Sequence, residues 1–144
     1  MQLSKRTQYG LRALICFADA YEHGFLQTKE LSAREKLPAK FLESILAGLV
    51  RSKFLVSRIG ATGGYRLARP PQEIILGDII GRLEGKRLLE SQAPEQGERP
   101  GEIAVRIVQA QLTDAVRDIL STATLAELAE QTIQQSPGGQ MYYI

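Results

Sequence analysis

The sequence predicts a mainly α-helical fold with one small β-hairpin, and three observations lead to this prediction. Apolar residues recur at helical spacing through most of the 144 residues. Two short β-type runs, 55–59 and 65–67, are joined by a turn that contains Gly60, Gly63 and Gly64, which is typical of a hairpin. Three predicted helices precede this hairpin directly. That order predicts a winged helix-turn-helix domain in which the hairpin is the wing.

The first three helices are predicted from apolar stripes and from residues that start helices. The first spans about 4–21, and the second spans about 28–35 with Thr28 as its N-cap. The third begins at Pro38, where a missing N–H costs nothing, and continues to about Ser52. The predicted buried stripes are Leu11, Leu14, Ile15, Ala18 and Tyr21 in the first helix and Phe41, Leu42, Ile45, Leu46 and Leu49 in the third.

Three further helices are predicted after the hairpin. A short helix over 76–83 is closed by Gly85 and followed by a polar, proline-containing loop over 86–101. A long helix spans about 102–120. The stretch Thr124-Leu125-Ala126-Glu127 fits a capping box and starts a last helix that ends near Gln135.

Apolar residues in the long helix alternate at spacings of three and four, which is typical of a seam between two helices. We expect this seam to join two subunits; packing within one subunit is the alternative. The predicted dimerisation residues are Val105, Val108, Leu112, Ala115 and Ile119.

Positive charge is concentrated in the first half of the chain. Residues 1–69 contain twelve Lys and Arg against five Asp and Glu, a net charge of +7. Residues 70–144 contain six against eleven, a net charge of −5. The basic half predicts contact with nucleic acid. The single cysteine, Cys16, excludes an internal disulfide and favours the cytoplasm, and no apolar run is long enough to span a bilayer.

The predicted DNA contacts lie on the first and third helices and on the wing. In a helix-turn-helix the second helix of the pair enters the major groove, where Lys40 suits guanine and Glu43 suits the cytosine amine. Basic side chains nearby suit phosphates, although a solvated charge is the alternative for any one of them. The candidate DNA-binding residues are Lys5, Arg6, Tyr9, Arg12, Thr28, Pro38, Ala39, Lys40, Glu43, Ser44, Arg51, Lys53, Arg58, Thr62, Gly63, Gly64, Tyr65 and Arg66.

Several short motifs along the chain occur together in one family of bacterial regulators. They are Leu3-Ser4-Lys5, Tyr9-Gly10-Leu11, Leu42-Glu43, Gly63-Gly64-Tyr65, Gly77-Asp78-Ile79-Ile80, Leu83-Glu84-Gly85 and residues 124–129. On these motifs the chain resembles the Rrf2 family of winged helix-turn-helix regulators over nearly its whole length. The resemblance implies a homodimer that is joined by the long penultimate helix and binds a partly palindromic operator. We therefore expect a DNA-binding domain over 1–84, a loop over 85–101, dimerisation and C-terminal helices over 102–135, and a flexible tail over 136–144.

The chain departs from the family pattern at two places. The family usually carries Arg directly before the wing glycine, where it reaches the minor groove; Ile59 stands there instead, which leaves open whether Arg58 or Arg66 takes that role. Many members hold an iron–sulfur cluster through three cysteines in the loop before the long helix. The corresponding loop, 86–101, contains neither Cys nor His, so no cofactor is expected. An oxygen-ligand metal site is the alternative to a solvated acidic loop, and its side chains would be Glu90, Glu95, Glu98 and Glu102.

The C-terminal tail suggests a protein partner. A cluster-free member of the family, which represses cysteine metabolism, has a similar loop and a closely related Met-aromatic-Tyr-Ile tail. That resemblance implies that Met141, Tyr142, Tyr143 and Ile144 enter the active site of cysteine synthase in competition with O-acetylserine. A terminal Ile suits this role because its carboxylate mimics that of an amino-acid substrate. The alternative is that the tail folds back onto its own subunit.

These observations together predict a homodimeric transcriptional repressor, most consistent with cysteine or sulfur metabolism and modulated by cysteine synthase. A first alternative keeps the DNA binding and assigns another signal, either a small molecule in the acidic half or oxidation of Cys16. A second is a protein-interaction module that acts on an enzyme through its tail. The sequence does not favour an enzyme, because it presents no set of nucleophile, base and acid.

Overall fold

The computed structural model describes residues 2–85 and 88–137, which form six α-helices and one antiparallel two-stranded sheet. The predicted fold class, mainly α with a β-hairpin wing, is confirmed. Within the described residues no helix is both long enough and apolar enough to cross a membrane. The elements are α1 (Lys5–Asp19), α2 (Thr28–Glu35), α3 (Ala39–Arg51), β1 (Leu55–Arg58), β2 (Gly64–Leu67), a short 3-10 turn (Pro71–Glu73), α4 (Leu76–Glu84), α5 (Pro100–Thr122) and α6 (Leu125–Gln135).

The core lies between α1, α3, α4 and the base of the hairpin, and it continues to the start of α6. α1 crosses α4 closely at Gly10, where an added Cβ would lie 2.6 Å from a methyl carbon of Leu83. A larger residue at position 10 would require the Leu83 side chain to move, and both residues belong to the motifs seen in the sequence. The largest fully buried side chains are Leu14, Phe17, Leu31, Leu42, Ile45, Leu46, Leu49, Leu55, Leu67, Ile74, Ile79 and Leu125.

A carboxylate on α4 fixes the start of α1. Ser4 is the N-cap of α1, and its backbone N–H and hydroxyl donate to Glu84 at 2.9 and 2.8 Å. The buried Thr7 hydroxyl also donates to Glu84. These hydrogen bonds, with that from Thr7 the strongest cause, hold the pKa of Glu84 below its ordinary value. The first helix is therefore anchored to the fourth by a charged hydrogen-bond acceptor.

The predicted apolar stripe of α1 is only partly right. Leu14 is buried, but the other four members of that stripe are partly buried, and the fully buried face consists of Ala13, Cys16 and Phe17. The reason is that α1 contacts α3 and α4 as well as α6. Apolar residues therefore cover most of its circumference, and the stripe read from the sequence is only one edge of a wider face. α1 also ends at Asp19, earlier than predicted.

Three other sequence predictions differ from the structure in detail. The N-cap of α2 is Gln27 rather than Thr28, and Pro38 is the N-cap of α3 rather than its first residue. Phe41 was predicted to be buried but is 38% exposed. Its ring packs edge to face on Tyr9, with the centroids 5.4 Å apart. A contact with a residue on another helix holds Phe41 at the surface, and helical periodicity does not predict such a contact.

The wing is a regular hairpin with a third backbone partner. Leu55 pairs with Leu67 and Arg58 pairs with Gly64. Leu26 adds a bridge, because its N–H and carbonyl each bond to Tyr65 at 2.8 Å. Gly64 has φ +131, and an added Cβ would lie 2.3 Å from the Leu26 carbonyl oxygen. Glycine at this position therefore allows the wing to lie against the segment between α1 and α2.

The two C-terminal helices differ in how they are held. α6 begins with the predicted capping box, in which the Thr124 hydroxyl accepts from the Glu127 N–H at 3.1 Å, and it packs on α1. α5 is longer than predicted and packs mainly on α4. At this contact Gly77 of α4 lies close to the backbone of Leu120 in α5. No residue of α5 is buried by the described residues. Most of the long helix is therefore left uncovered by the part of the chain that the structure describes.

Candidate nucleic-acid interface

The N-terminal half of α3 presents a polar face to solvent. Ala39, Lys40, Glu43 and Ser44 are all exposed, while the opposite face of the same helix enters the core. Pro38 gives the helix no side-chain cap. The first N–H groups of α3 are therefore not capped by that side chain, and they lie at the positive end of the helix dipole. This end of α3 suits an anion such as a DNA phosphate.

Two arginines converge on the C-terminal part of α3. An added Cβ at Gly48 would lie 2.8 Å from Nη2 of Arg6 and 3.8 Å from Nη2 of Arg51. Neither guanidinium has an ion pair or a hydrogen bond with a carboxylate in the part of the chain that the structure describes. Two like charges held this close are stabilised by an anion that binds both.

Other basic residues around this face differ in whether they are paired with a carboxylate. Lys5 and Lys53 are exposed, and Lys53 occupies the left-handed region with φ 64 at the turn before the wing. Arg12 instead pairs with Glu35, with Nε 3.1 Å from Oε1, and lies over the ring of Tyr9. Arg12 and Tyr9 therefore join α1 to α2 and to α3. Thr28, at the start of α2, is partly buried.

The two wing arginines point to the same side of the hairpin and are both held by intramolecular contacts. Arg58 donates to the carbonyl of Thr62 at 2.7 Å and lies 4.2 Å over the ring of Phe25. Arg66 donates to the carbonyl of Tyr21 at 3.0 Å and lies over the rings of Tyr21 and Phe25. Phe25, which lies under both arginines, was not predicted from the sequence, because its role depends on contacts with residues more than 30 positions away.

The wing glycines and Tyr65 shape the hairpin from within. Gly63 is buried, its N–H donates to the Gly60 carbonyl at 3.0 Å, and an added Cβ would lie 2.0 Å from the Arg58 carbonyl oxygen. Tyr65 uses both backbone groups on Leu26. Thr62 is exposed at the turn. The geometry of the hairpin therefore accounts for glycine at these positions without a contact to DNA.

The tip of the wing carries an apolar side chain that is almost completely exposed. Ile59 is 99% exposed, the largest exposure among the large hydrophobic residues of the described chain. Packing within the described chain therefore does not account for an isoleucine at this position. Because Arg58 and Arg66 are held by intramolecular contacts, Ile59 is the most exposed large side chain at the tip of the wing.

The predicted seam of α5 is exposed as a set. Ala115 is exposed, and the larger members of the seam expose about half of their surface or more. The exposed fractions are 57% for Val105, 54% for Val108, 56% for Leu112 and 69% for Ile119. The predicted partner-binding residues Met141, Tyr142, Tyr143 and Ile144 lie outside the described residues.

The remaining candidate sites have local explanations. Burial and, secondly, the charge of Glu35 raise the pKa of the Cys16 thiol to about 12. Cys16 is therefore a neutral thiol at physiological pH, which does not suit a redox switch. In the acidic loop, Arg106 donates to Glu98 at 2.9 Å and holds the pKa of Glu98 below its ordinary value. Glu102 likewise accepts from the backbone N–H of Arg99 at 2.7 Å.

Known proteins resemble the chain over almost all of its length. The family pattern of Rrf2, described as an iron-dependent transcriptional regulator, matches residues 3–131. The transcriptional regulator CymR of Bacillus subtilis (strain 168) is 31% identical over 148 residues, which cover 100% of both chains. Its solved structure, titled as that of the global cysteine regulator, has a TM-score of 0.79 over 92% of this chain and 98% of that one. The structure of IscR from T. potens has a TM-score of 0.77 at 27% identity, over 99% and 93%.

The iron named in the family description does not match the side chains of this chain. An iron–sulfur cluster needs several thiolate or imidazole ligands. The sequence has one cysteine, Cys16, and one histidine, His23. Among residues 2–85 and 88–137, no group of three or more His, Cys, Asp or Glu side chains is placed to hold a metal ion. The relatives are transcriptional regulators and not enzymes, and the chain belongs to the Rrf2 family of DNA-binding transcriptional regulators.

Proposed function

We propose that this regulator is a homodimeric repressor that reads its operator with the N-terminal half of α3. The observation that carries this proposal is the exposed polar face formed by Lys40, Glu43 and Ser44. It lies next to a helix start whose N-cap residue provides no side-chain cap. Lys40 donates to guanine O6 or N7 and Glu43 accepts from a cytosine amine in the major groove. These contacts give the sequence preference.

The paired guanidinium groups of Arg6 and Arg51 hold the DNA backbone. They lie beside α3, and no carboxylate of the described chain pairs with them. Phosphate contacts fix the register of α3 and supply affinity that falls as salt rises. Lys5 and Lys53 extend the same basic surface, whereas Arg12 and Arg66 stabilise the fold.

The second copy of the chain covers the seam of α5. A 23-residue helix with no buried residue and several half-exposed aliphatic side chains is unusual for a monomer. Two such helices packed along Val105, Val108 and Leu112 remove this apolar surface from water. The resulting two-fold axis places two copies of α3 on a partly palindromic operator.

The regulated genes belong to cysteine or sulfur metabolism, and cysteine synthase binds the C-terminal tail. Support comes from the similarity to CymR, whose structure is titled as that of a global cysteine regulator. The tail residues Met141–Ile144 are also aromatic and apolar, which suits insertion into a cleft of a partner enzyme. Binding of the tail would compete with O-acetylserine.

DNA recognition is tested by selecting duplexes from random DNA with the native chain and then measuring affinity by fluorescence anisotropy. Lys40→Glu should weaken binding to the selected duplex by about 100-fold, because a base contact is lost and a negative charge faces the groove. Arg82→Glu is the matched control, since Arg82 is an exposed arginine on α4. Equal affinities for Lys40→Glu and the native chain would remove α3 from the interface.

The partner is tested by titrating the chain into cysteine synthase and following the fluorescence of its pyridoxal phosphate. The full chain should change this fluorescence, a chain without Ile144 should not, and O-acetylserine should reverse the change. Absence of any response from the full chain would contradict the assignment to sulfur metabolism. It would leave DNA recognition by α3 untouched.

A further inference from the structure

A cavity of about 500 Å³ lies between α1, α2 and α6. Leu11 and Ile15 of α1 and Leu128 of α6 form most of its wall. These side chains pack against the core but are only partly buried, so their remaining apolar surface faces the cavity. The volume lies within the range of small-molecule sites. We refer to it as the α1–α2–α6 cavity.

The charged end of the cavity is formed by α2. Arg34 is held by one bond to Asp19, from Nη2 to Oδ2 at 3.3 Å, and its side chain is only 12% exposed. Its Nη1 is buried and has no hydrogen-bond partner in the described structure. A buried donor of a charged group without an acceptor is costly. Arg34 is also one of the residues that line the cavity, so an acceptor bound there would lie beside this guanidinium.

The two arginines of the cavity differ in whether a buried donor remains without a partner. Arg12 lines the same space and pairs with Glu35, the only carboxylate among the described residues of the wall. Arg34 pairs with Asp19, but its buried Nη1 has no partner among the described residues. The Cys16 thiol adds a small uncharged surface between the two helices. A guanidinium matches a carboxylate in two-point geometry, while the aliphatic wall suits a hydrocarbon chain.

We propose that the α1–α2–α6 cavity is a binding site for a carboxylate carried on an apolar chain, with the carboxylate at Arg34 and the chain against Leu11, Ile15 and Leu128. The ligand has two possible sources with the same chemistry. One is a free small molecule. The other is the C-terminus of this chain, since Pro137 lines the cavity.

The position of the cavity gives the ligand a route to the proposed DNA-binding surface. Arg34 and Glu35 end α2, and the left-handed Lys36 that follows begins the turn into α3. A ligand that joins α6 to the end of α2 restrains the orientation of α3. This consequence depends on the proposed function, whereas binding to the cavity does not.

The first experiment titrates hexanoate into the full chain and follows the methyl NMR signals of Leu11, Ile15 and Leu128. Hexan-1-ol and hexylamine are the matched probes, because they keep the hydrocarbon chain and change the head group. Hexanoate should bind saturably and at least about tenfold more tightly than either control, since only it forms a charge-assisted pair with Arg34. Equal binding of all three, or hexanoate shifts confined to other parts of the chain, would overturn the proposal.

Variants then locate the head group and the source of the ligand. Arg34→Gln should weaken hexanoate about tenfold and leave hexan-1-ol unchanged, whereas the exposed-site control Arg82→Gln should bind both as the native chain does. Unchanged hexanoate binding in Arg34→Gln would contradict the assignment of its carboxylate. Deleting Met141–Ile144 distinguishes the sources: tighter hexanoate binding identifies the chain's own terminus as the occupant, and unchanged binding identifies a free carboxylate. Because the comparison of hexanoate with hexan-1-ol uses the native chain, it stands even if Arg34→Gln fails to fold.

Discussion

The helices α3 and α5 both leave one face uncovered, but the two faces differ in chemistry. α3 buries Leu42, Ile45 and Leu49 and exposes Lys40 and Ser44 among other polar residues. No residue of α5 is buried by the described residues, and its exposed face is rich in valine, leucine and isoleucine. We therefore expect a solvated, charged partner for α3 and, for α5, a partner that removes apolar surface from water.

The surfaces of α3 and α5 also differ in whether their arginines are paired with carboxylates. Beside α3, Arg6 and Arg51 lie close together, and neither has a carboxylate partner among the described residues. On α5, Arg106 and Arg117 are paired with Glu98 and Asp114. Unpaired and paired arginines thus mark different surfaces, and exposure alone does not distinguish them. Four predictions test this comparison.

Breaking the α5 face should have the largest effect. Val108→Glu combined with Leu112→Glu places four charges in the symmetric seam, where each apolar side chain is worth about 1.5–3 kcal/mol when buried. We expect dimerisation to weaken by at least about 1,000-fold, measured by sedimentation equilibrium. Gln109→Glu combined with Gln111→Glu carries the same charge on neighbouring exposed positions and should remain closer to the native dimer. A monomeric native chain would contradict the role of α5.

Removing the paired arginines should weaken DNA binding without affecting the dimer. Arg6→Gln combined with Arg51→Gln should lower affinity for the selected duplex about tenfold to 100-fold at moderate salt. The slope of log affinity against log salt should flatten by about 4 for a dimer, because about four phosphate contacts are lost. Arg82→Gln should leave the slope unchanged. If the double variant has the native slope, these guanidinium groups do not contact phosphates.

A substitution that adds a DNA contact at the tip of the wing should have a smaller effect. Because Arg58 is held by Thr62 and Phe25, the outward position at the tip belongs to Ile59. Ile59→Arg should tighten DNA binding about threefold to tenfold and steepen the salt slope by about 2. Ile59→Gln is the uncharged control and should change affinity much less. A loss of affinity in Ile59→Arg would show that the apolar tip itself makes a favourable contact.

The smallest effect should come from the anchor between α1 and α4. Glu84→Gln removes a charged acceptor for Ser4 and Thr7 and should lower the free energy of unfolding by about 1 kcal/mol near pH 7. The folded pKa of Glu84 lies below its ordinary value of 4.5, so this contribution is present above about pH 4.5 and is lost as the pH falls through the folded pKa. Urea unfolding at pH 7 and pH 3 should show the difference shrinking in acid. A constant difference would contradict the charged role.

The architecture could be predicted from the sequence because it depends on local signals. Helical periodicity, the glycine turn and the capping box at Thr124 each act over a few residues, and the observed elements follow them closely. The exposed positions of α3 and the uncovered apolar seam of α5 also follow from periodicity alone. For these two helices, the sequence pattern alone indicates which face the neighbouring elements cover and which face they leave exposed.

The roles of individual side chains could not be predicted because they depend on contacts between distant residues. Arg66 looks like a wing cation in the sequence, but it donates to Tyr21, 45 positions earlier. Phe41 follows the apolar stripe of α3, yet it stays at the surface on Tyr9. Neither the buried Nη1 of Arg34 nor the cavity beside it leaves a periodic signal. Tertiary packing decides such cases.

Photo-crosslinking from the two faces tests the central distinction most directly. A photoreactive benzoylphenylalanine is placed at Ser44 on α3 or at Leu112 on α5, and each chain is illuminated with the selected duplex. The account predicts that position 44 crosslinks to DNA and that position 112 crosslinks to a second copy of the chain. A crosslink from position 112 to DNA, or from position 44 only to protein, would contradict it.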